Sequence, residues 1–168
     1  LNPIHEGTNG IQALDLLGRK VWQKNGRGMQ ILGARIAVDL AKTADTSSKL
    51  QAWAANITDM LKLVQKVTMH LGGDLQKKAP DEVLANAGNY LGMLSKVVVS
   101  WLWLRQALAA EKGLASTASD NQEEQAFYKG KLQAAQYFIQ WELPLAQHDA
   151  DLLLTRDDTC FAMQKDWF

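Results

Sequence analysis

The sequence predicts an all-α fold, an antiparallel four-helix bundle preceded by a loop and one further helix. Three prolines occur in 168 residues, at positions 3, 80 and 144. Long stretches carry apolar residues three and four positions apart, the spacing that places side chains on one face of a helix. No stretch alternates apolar and polar residues for long enough to predict a strand. Long helices joined by short or moderate loops favour antiparallel packing of neighbours.

The first helix is predicted to begin near Gly10. Asn9 is a favourable N-cap, and Gln12 stands where a capping-box side chain reaches back. The apolar stripe of this helix consists of Ile11, Leu14, Leu17 and Val21. Segment 25–28 should end the helix, because its asparagine and two glycines favour a turn. This turn predicts two parts, residues 1–27 and residues 28–168.

Two helices should follow the turn. The second is expected over 29–44 and should end in the Thr- and Ser-rich segment 43–48. The third has the most regular apolar pattern and is expected to end at Gly72 and Gly73, since glycine is common just after a helix. Its apolar side chains are Leu50, Trp53, Ile57, Leu61, Val64, Val67 and Leu71.

The fourth helix is predicted to start after Pro80, where Asp81 and Glu82 favour the first turn. Its apolar residues lie on more than one face, so it should be the most buried helix. A polar stretch over 113–122 predicts a loop. The fifth helix should run through Phe127 to the region of Pro144, which is expected to kink or interrupt it. The aromatic segment 161–168 is expected to pack back on the bundle.

Composition excludes several classes of partner. The 18 basic and 18 acidic residues balance, which argues against nucleic acid, because phosphate binding needs clustered basic side chains. The longest apolar run, 97–104, is far shorter than the roughly 20 residues of a transmembrane helix. A single cysteine, Cys160, predicts a free thiol and favours a reducing compartment, the cytoplasm.

Metal and nucleotide motifs are weak. Di-iron bundles need Glu-x-x-His pairs, which do not occur in the sequence, and the three histidines are far apart. No metal is therefore expected, and segment 148–151 is interpreted as a polar surface. Segment 26–28 lacks the strand and third glycine of a phosphate loop and is interpreted as a hinge. Tryptophans 53, 101, 103 and 141 either line an apolar cavity or form ordinary core.

The opening of the chain places a carboxylate, Glu6, on a glycine-containing loop just before a helix. Exposed amides and the positive end of a helix bind anions, and Gly7 permits close approach of a ligand. A structural interpretation is also open, because the helix dipole alone favours an acidic residue there. The first residues show neither a methionine nor a signal-peptide pattern, and they resemble the interior of a longer chain.

The stretch EGTNGIQALDLLGRK, residues 6–20, resembles the catalytic loop and following helix of acyl-CoA dehydrogenases, in the branch with an extra C-terminal helical domain. About the first 20 residues carry the specific match. The rest matches as a helical extension of suitable length. His5 stands where the family commonly has tyrosine.

The resemblance implies a flavoenzyme of fatty acid β-oxidation that removes hydrogens from the carbons α and β to a thioester. The products are trans-2-enoyl-CoA and reduced FAD, and an electron acceptor then reoxidises the flavin. By resemblance, Glu6 is the catalytic base for the α proton and Gly7 lies against the substrate. Thr8, Asn9 and Gly10 would approach FAD.

The resemblance also implies that most FAD and acyl-CoA contacts belong to domains that precede this chain. The 168-residue chain alone is therefore expected to be inactive and to retain no FAD, and the whole enzyme is expected to be a homo-oligomer. The alternative is a non-catalytic helical module for interaction or oligomerisation whose opening merely retains this sequence.

Overall fold

The computed structural model describes residues 8–167, and this part of the chain contains helices and no strand, as the sequence predicts. The α-helices are α1 (Thr8–Gly18), α2 (Gln23–Ala41), α3 (Ser48–Leu75), α4 (Pro80–Leu84), α5 (Ala87–Ser116), α6 (Gln122–Tyr137) and α7 (Leu145–Thr155). Short 3₁₀ helices lie at Lys20–Trp22 and Lys165–Trp167, and a π-helix occupies Phe138–Glu142. The all-α class is confirmed, and the antiparallel four-helix arrangement stays a prediction.

Helix α5 lies at the centre of the fold and packs against α1, α3, α6 and α7. It has more buried side chains than any other described helix, as predicted from its apolar residues on several faces. Tyr90, Met93, Val97 and Leu104 are fully buried within it. The Tyr90 hydroxyl lies 2.7 Å from Thr68 Oγ1, a hydrogen bond that joins α5 to α3.

A turn is present close to the predicted segment 25–28, but the first helix ends before it. Helix α1 ends at Gly18, well before 25–28, and a 3₁₀ turn follows it. Within the bounds of α2, the backbone then departs from the right-handed helical conformation at Lys24, Asn25 and Gly26, which all have positive φ (50°, 56° and 73°) and form a kink near the start of this helix. The indole Nε1 of Trp22 donates a hydrogen bond to the carbonyl of Leu17, which folds the connection back on the end of α1.

The expected end of the third helix was wrong, because α3 continues through Gly72 and Gly73 to Leu75. The two glycines differ in their surroundings. A Cβ atom at Gly72 would lie 2.8 Å from the Trp22 ring, whereas a Cβ at Gly73 would have no atom within 4 Å. Gly72 is therefore required by a side-chain contact and not by a helix end.

Three other expectations also need correction. The predicted fourth helix is divided by a turn at residues 85–86 into α4 and α5. Helix α5 extends to Ser116, so segment 113–116 is helical and not loop. Gly113 lies against the Tyr128 ring of α6, where a Cβ would come within 2.4 Å. The C-terminal segment does not pack into the core, since Phe161, Met163 and Trp167 are all about half exposed or more. Pro144 does interrupt the last long helix, as predicted, because α7 begins directly after it.

A buried carboxylate fixes α2 against α5. Asp39 is 1% exposed, and its Oδ2 accepts a 3.0 Å hydrogen bond from the indole Nε1 of Trp101. Lys42 bonds the other carboxylate oxygen, and Arg105 lies 3.4 Å from Oδ2. The hydrogen bond from Lys42, followed by that from Trp101, holds the pKa of Asp39 below its ordinary value, although burial opposes this.

The paired glycines of α3 provide a stability test. Gly72→Ala should be less stable than Gly73→Ala by about 1–3 kcal/mol, because overpacking against Trp22 offsets the helix propensity that both variants gain. Urea unfolding followed by circular dichroism measures this difference. Equal stabilisation of both variants would contradict the close contact between Trp22 and Gly72.

The lowered pKa of Asp39 predicts a pH-dependent contribution to stability. Because the folded-state pKa lies below the unfolded value of about 3.9, the contribution is complete above pH 5 and disappears as the pH falls through the folded pKa. We expect Asp39→Asn to cost about 1–2 kcal/mol at pH 7 and progressively less below pH 4. Denaturant unfolding of both proteins across this range measures the effect, and a loss independent of pH would contradict it.

Candidate functional site

The candidate site lies at the start of α1. Glu6 and Gly7, assigned by the sequence to the base and to substrate contact, lie outside the described residues. The structure places Thr8, Asn9 and Gly10, the residues assigned to FAD, in the first turn of α1. Asn9 and Gly10 are exposed, and Thr8 is half-buried. The site as described is therefore an open helix N-terminus.

Thr8 caps this helix, in place of the predicted Asn9. The Thr8 Oγ1 accepts a 3.4 Å hydrogen bond from the backbone N–H of Ile11, three residues later, as an N-cap side chain does. Thr8 has a φ of 52°, in the left-handed region that is unfavourable for a β-branched residue. The positive φ therefore marks a local departure from the helical backbone at Thr8.

Gly10 has open space beside it. A Cβ atom at this position would have only Thr8 Oγ1 near it, at 4.0 Å. The amides of a first helical turn have no partners within the helix and carry the positive end of its dipole. An exposed turn with glycine at its third residue leaves room for a negatively charged group to approach.

Helix α1 is anchored to the bundle along one side. Ala13 and Leu17 are fully buried, and the helix packs against α5. At its C-terminal end, a Cβ on Gly18 would lie 3.3 Å from Leu84 Cδ1, so α4 approaches closely. Ile11 and Leu14 remain about half exposed on the other side. The start of α1 is thus held by a rigid support while a second apolar face of the helix stays open.

Ion pairs with Asp15 lie at the C-terminal end of α1. Arg19 Nε lies 2.6 Å from Asp15 Oδ1, its Nη2 lies 2.9 Å from Oδ2, and Lys20 Nζ lies 3.0 Å from Oδ2. The hydrogen bonds from Arg19 and then Lys20 lower the pKa of Asp15 to about 2. These groups are solvent-exposed, so they orient the helix end and contribute little to stability.

The polar segment 148–151 is part of the packing between helices. Asp149 is buried and binds two residues of α5, with Lys96 Nζ at 2.7 Å and Asn89 Nδ2 at 3.0 Å. The side chain of Asp151 accepts a hydrogen bond from Gln147. Among residues 8–167, no three or more His, Cys, Asp and Glu side chains are grouped so that they could hold a metal ion.

The tryptophans differ from one another in environment. Trp53 and Trp101 are buried core residues, and Trp103 is half-buried beneath the Lys131 ammonium. Trp141 is 69% exposed. The four therefore do not line one common cavity.

The sequence did not indicate an apolar groove between α2 and α3. This groove has a volume of about 620 Å³, and Trp22, Met29, Leu32, Leu61 and Met69 supply much of its apolar lining. It forms because α2 contacts α3 only weakly and because the turn at 24–26 holds the start of α2 away. Gly72, beneath Trp22, was the available sequence signal, but it resembles an ordinary helix end.

Residues 33–164 match the family described as acetyl-CoA dehydrogenase C-terminal like. Because the match covers most of the chain, the chain belongs to this family. The match includes α3–α7 and the C-terminal half of α2, whereas the candidate site at the start of α1 lies before it.

Several curated acyl-CoA dehydrogenases are similar to this chain. The broad-specificity linear acyl-CoA dehydrogenase of Mycobacterium tuberculosis is 26% identical over 163 residues, which cover 94% of this chain and 26% of that protein. The 3-methylmercaptopropionyl-CoA dehydrogenase of Ruegeria pomeroyi is 28% identical, covering 82% of this chain and 22% of the relative. The butyryl-CoA dehydrogenase of Syntrophomonas wolfei is 31% identical over a region that covers 84% of this chain and 22% of that relative. This chain thus spans about a quarter of the length of these relatives.

None of the helices described in residues 8–167 combines the length and apolar character needed to cross a bilayer.

The cap at Thr8 can be tested by amide exchange. Thr8→Val keeps the shape of the side chain but removes the acceptor for the Ile11 amide, so we expect exchange at Ile11 to increase about two- to fivefold, equivalent to roughly 0.5–1 kcal/mol. Thr8→Asn is the matched control, because asparagine supplies an acceptor and tolerates positive φ. Unchanged exchange in Thr8→Val would show that the hydroxyl does not cap α1.

Proposed function

We propose that this chain is the C-terminal part of a flavin-dependent acyl-CoA dehydrogenase that converts acyl-CoA to trans-2-enoyl-CoA. The family match over residues 33–164 carries the proposal. The curated relatives are named as dehydrogenases of linear acyl-CoA, 3-methylmercaptopropionyl-CoA and butyryl-CoA, which supports an acyl thioester as the substrate class. The opening sequence adds the position of the catalytic base.

Glu6 is the proposed base that removes the α proton of the thioester. A carboxylate suits this step, because a site that excludes water raises the pKa of the acid toward the working pH. The backbone amide of Glu6 helps to polarise the thioester carbonyl, which makes the α proton more acidic. Gly7 leaves room for the substrate.

Thr8, Asn9 and Gly10 are the residues proposed to face FAD, which when bound accepts the hydride from the β carbon. The open space at Gly10 and the first-turn amides of α1 support this assignment. Anchoring of Ala13 and Leu17 on α5 would hold these amides in place during the reaction.

The domain organisation is part of the proposal. Residues 1–27 form the catalytic loop and last helix of the dehydrogenase, and residues 28–168 form the helical extension. The positive-φ turn at 24–26 and the start of the family match at residue 33 support this boundary. The 168-residue chain alone would be inactive and would not retain FAD, because most cofactor contacts would belong to other domains.

The whole enzyme is proposed to be a cytoplasmic homo-oligomer that passes electrons to a separate acceptor. The exposed free thiol of Cys160 supports a reducing compartment. The alternative function is a non-catalytic interaction or oligomerisation module, which the exposed aromatic side chains of α6 and the π-helix favour. The reading frame upstream of Leu1 separates the two, because only the enzyme requires dehydrogenase domains there.

The test of Glu6 uses the whole enzyme. Glu6→Gln preserves shape but cannot accept a proton, so flavin reduction should fall by roughly 10²- to 10⁴-fold while FAD content and acyl-CoA binding persist. Stopped-flow bleaching of the flavin by acyl-CoA measures the rate. Glu123→Gln, an exposed carboxylate on α6, is the matched control and should reduce flavin normally.

Two outcomes would overturn the role of Glu6. Near-normal flavin reduction in Glu6→Gln would assign the base to another residue, and loss of FAD together with activity would make Glu6 structural. His5→Tyr restores the residue common in the family and should have only a mild effect. Loss of reduction in His5→Tyr but not in Glu6→Gln would show that the residue assignment is wrong.

A further inference from the structure

The apolar groove between α2 and α3 has the size of a small-molecule site. Its volume of about 620 Å³ lies within the roughly 300–1,000 Å³ that ligand pockets have. Trp22, whose ring packs on Gly72, lines one end of the groove, and Leu61 lines the other. The part of α3 between Leu61 and Gly72 spans about 16 Å at 1.5 Å per residue. The groove can therefore hold a long, narrow ligand.

The lining of the groove suits a flexible hydrocarbon chain. Met29 and Met69 both line it, and Met69 is 72% exposed although its side chain is large and apolar. Methionine side chains are unbranched and polarisable, so they adapt to ligands of variable shape. The hydroxyl of Thr68, which also lines the groove, is already hydrogen-bonded to the carbonyl of Val64 and to the hydroxyl of Tyr90. The interior therefore favours an apolar chain over a polar one.

The two segments that line the groove carry basic residues and no acidic residue. In a chain whose charges balance overall, segments 20–38 and 60–73 contain six lysines and arginines and neither aspartate nor glutamate. An excess of positive charge beside an apolar groove favours a negatively charged ligand. The six basic residues are Lys20, Lys24, Arg27, Arg35, Lys62 and Lys66.

Half of these cations are available to a ligand. Salt bridges to aspartates engage three of them. The other three, Lys24, Arg27 and Lys66, are exposed and pair with no acidic side chain in the described part of the chain. Lys24 and Arg27 flank residues 25–26, which line the groove at the start of α2, and Lys66 follows the lining residue Gln65. The available cations therefore lie along the edges of the groove.

We propose that this groove binds a linear fatty carboxylate, with the hydrocarbon chain between α2 and α3 and the carboxylate among Lys24, Arg27 and Lys66. An extended alkyl chain advances about 1.3 Å per carbon, because carbon–carbon bonds of about 1.5 Å meet at tetrahedral angles. About 12 carbons therefore match the length of the groove. The lining lies within segments 21–33 and 61–69, outside the start of α1, so the inference does not rest on the catalytic roles proposed above.

The edges of the groove argue against a further segment of polypeptide as the occupant. Lysine is depleted in the buried centres of protein interfaces. A polypeptide that filled the groove would need acidic partners for Lys24, Arg27 and Lys66, because burying an unpaired cation is strongly unfavourable. A membrane is also a poorer match, since helices that bind a bilayer surface lay an apolar face into the headgroups, whereas these apolar side chains line a concavity.

Calorimetric titration of this chain with monomeric fatty carboxylates of 8 to 16 carbons tests the site. For dodecanoate we expect a Kd on the order of 10–100 µM, within the binding free energy per atom of small ligands. Affinity should rise by up to about fourfold per methylene and then level off beyond about 12 carbons, when the groove is full. A rise that continued through 16 carbons, or no binding of dodecanoate, would overturn the proposal.

Gly33→Leu fills the groove from α2. A Cβ atom at Gly33 would have only Gln65 Nε2 near it, at 4.0 Å, and leucine favours a helix more than glycine does, so the variant should stay folded. We expect its affinity for dodecanoate to fall at least about tenfold, because the side chain occupies the space of several methylenes. Gly130→Leu, at an open glycine on α6, is the matched control and should bind dodecanoate normally. Normal binding by Gly33→Leu would show that the ligand lies elsewhere.

Lys66→Glu tests the position of the carboxylate. At low salt we expect decanoate to bind this variant about three- to tenfold more weakly, whereas binding of 1-decanol, which has no charge, should not change. Lys112→Glu, an exposed lysine on α5, is the matched control and should affect neither ligand. An equal loss for decanoate and 1-decanol would overturn the assignment of the carboxylate to this edge.

Two further measurements distinguish the other occupants. In the longer enzyme, dodecanoate binding that is the same for the wild type and for Gly33→Leu would show that another part of the polypeptide fills the groove. Binding of this chain to phosphatidylglycerol vesicles but not to dodecanoate would assign the groove to a membrane. Either result would overturn the proposal. Flavin reduction by acyl-CoA is measured separately, so failure at the groove would leave the proposed activity standing, and failure of that activity would leave the groove standing.

Discussion

The burial of α5 on several sides is the constraint on which the rest of the structure depends. A helix that is apolar on more than one face must be covered by several neighbours, and α1, α3, α6 and α7 supply that cover. Because α1 packs on α5, the central helix of the fold positions the start of α1. If residues 6–10 carry the chemistry proposed for them, the C-terminal helices support the catalytic loop as well as extending the chain.

Polar and glycine contacts hold the less buried helix α2 in place. Only Ile36 and Asp39 are buried in α2, so apolar burial alone contributes little to its attachment. The bond between Asp39 and Trp101 fixes its C-terminal half, and the connection through Trp22, packed on Gly72, fixes its beginning. Between these two attachments the helix stands away from α3, and the apolar groove results.

The fold class could be predicted from the sequence because apolar residues recur three and four positions apart throughout the predicted third and fourth helices. Helix ends were less predictable, since Gly72 and Gly113 serve side-chain contacts with Trp22 and Tyr128 that no local pattern reveals. The cap at the start of α1 was misassigned by one residue, because Thr8 and Asn9 have similar capping chemistry. Nothing in the sequence identified Asp39 as buried, since its partner Trp101 lies 62 positions away.

The candidate site was predictable only through resemblance. The residues around Glu6 are equally compatible with an anion-binding site and with an acidic side chain that the helix dipole favours. The structure adds the open surface at Gly10 and the support of α1 by α5, which local sequence could not supply. The roles proposed for residues 6–10 therefore rest on the resemblance, whereas the placement of α1 follows from its packing on α5.

The π-helix at Phe138–Glu142 has a consequence for how this region compares with other sequences. A π-helical turn contains about one residue more than an α-helical turn of the same length, so it often arises by a single-residue insertion. The inward and outward positions before Phe138 are therefore out of phase with those after Glu142. A relative that lacks the insertion would have its equivalent of Trp141 rotated by about 100° around the helix axis, even if every aligned residue were identical.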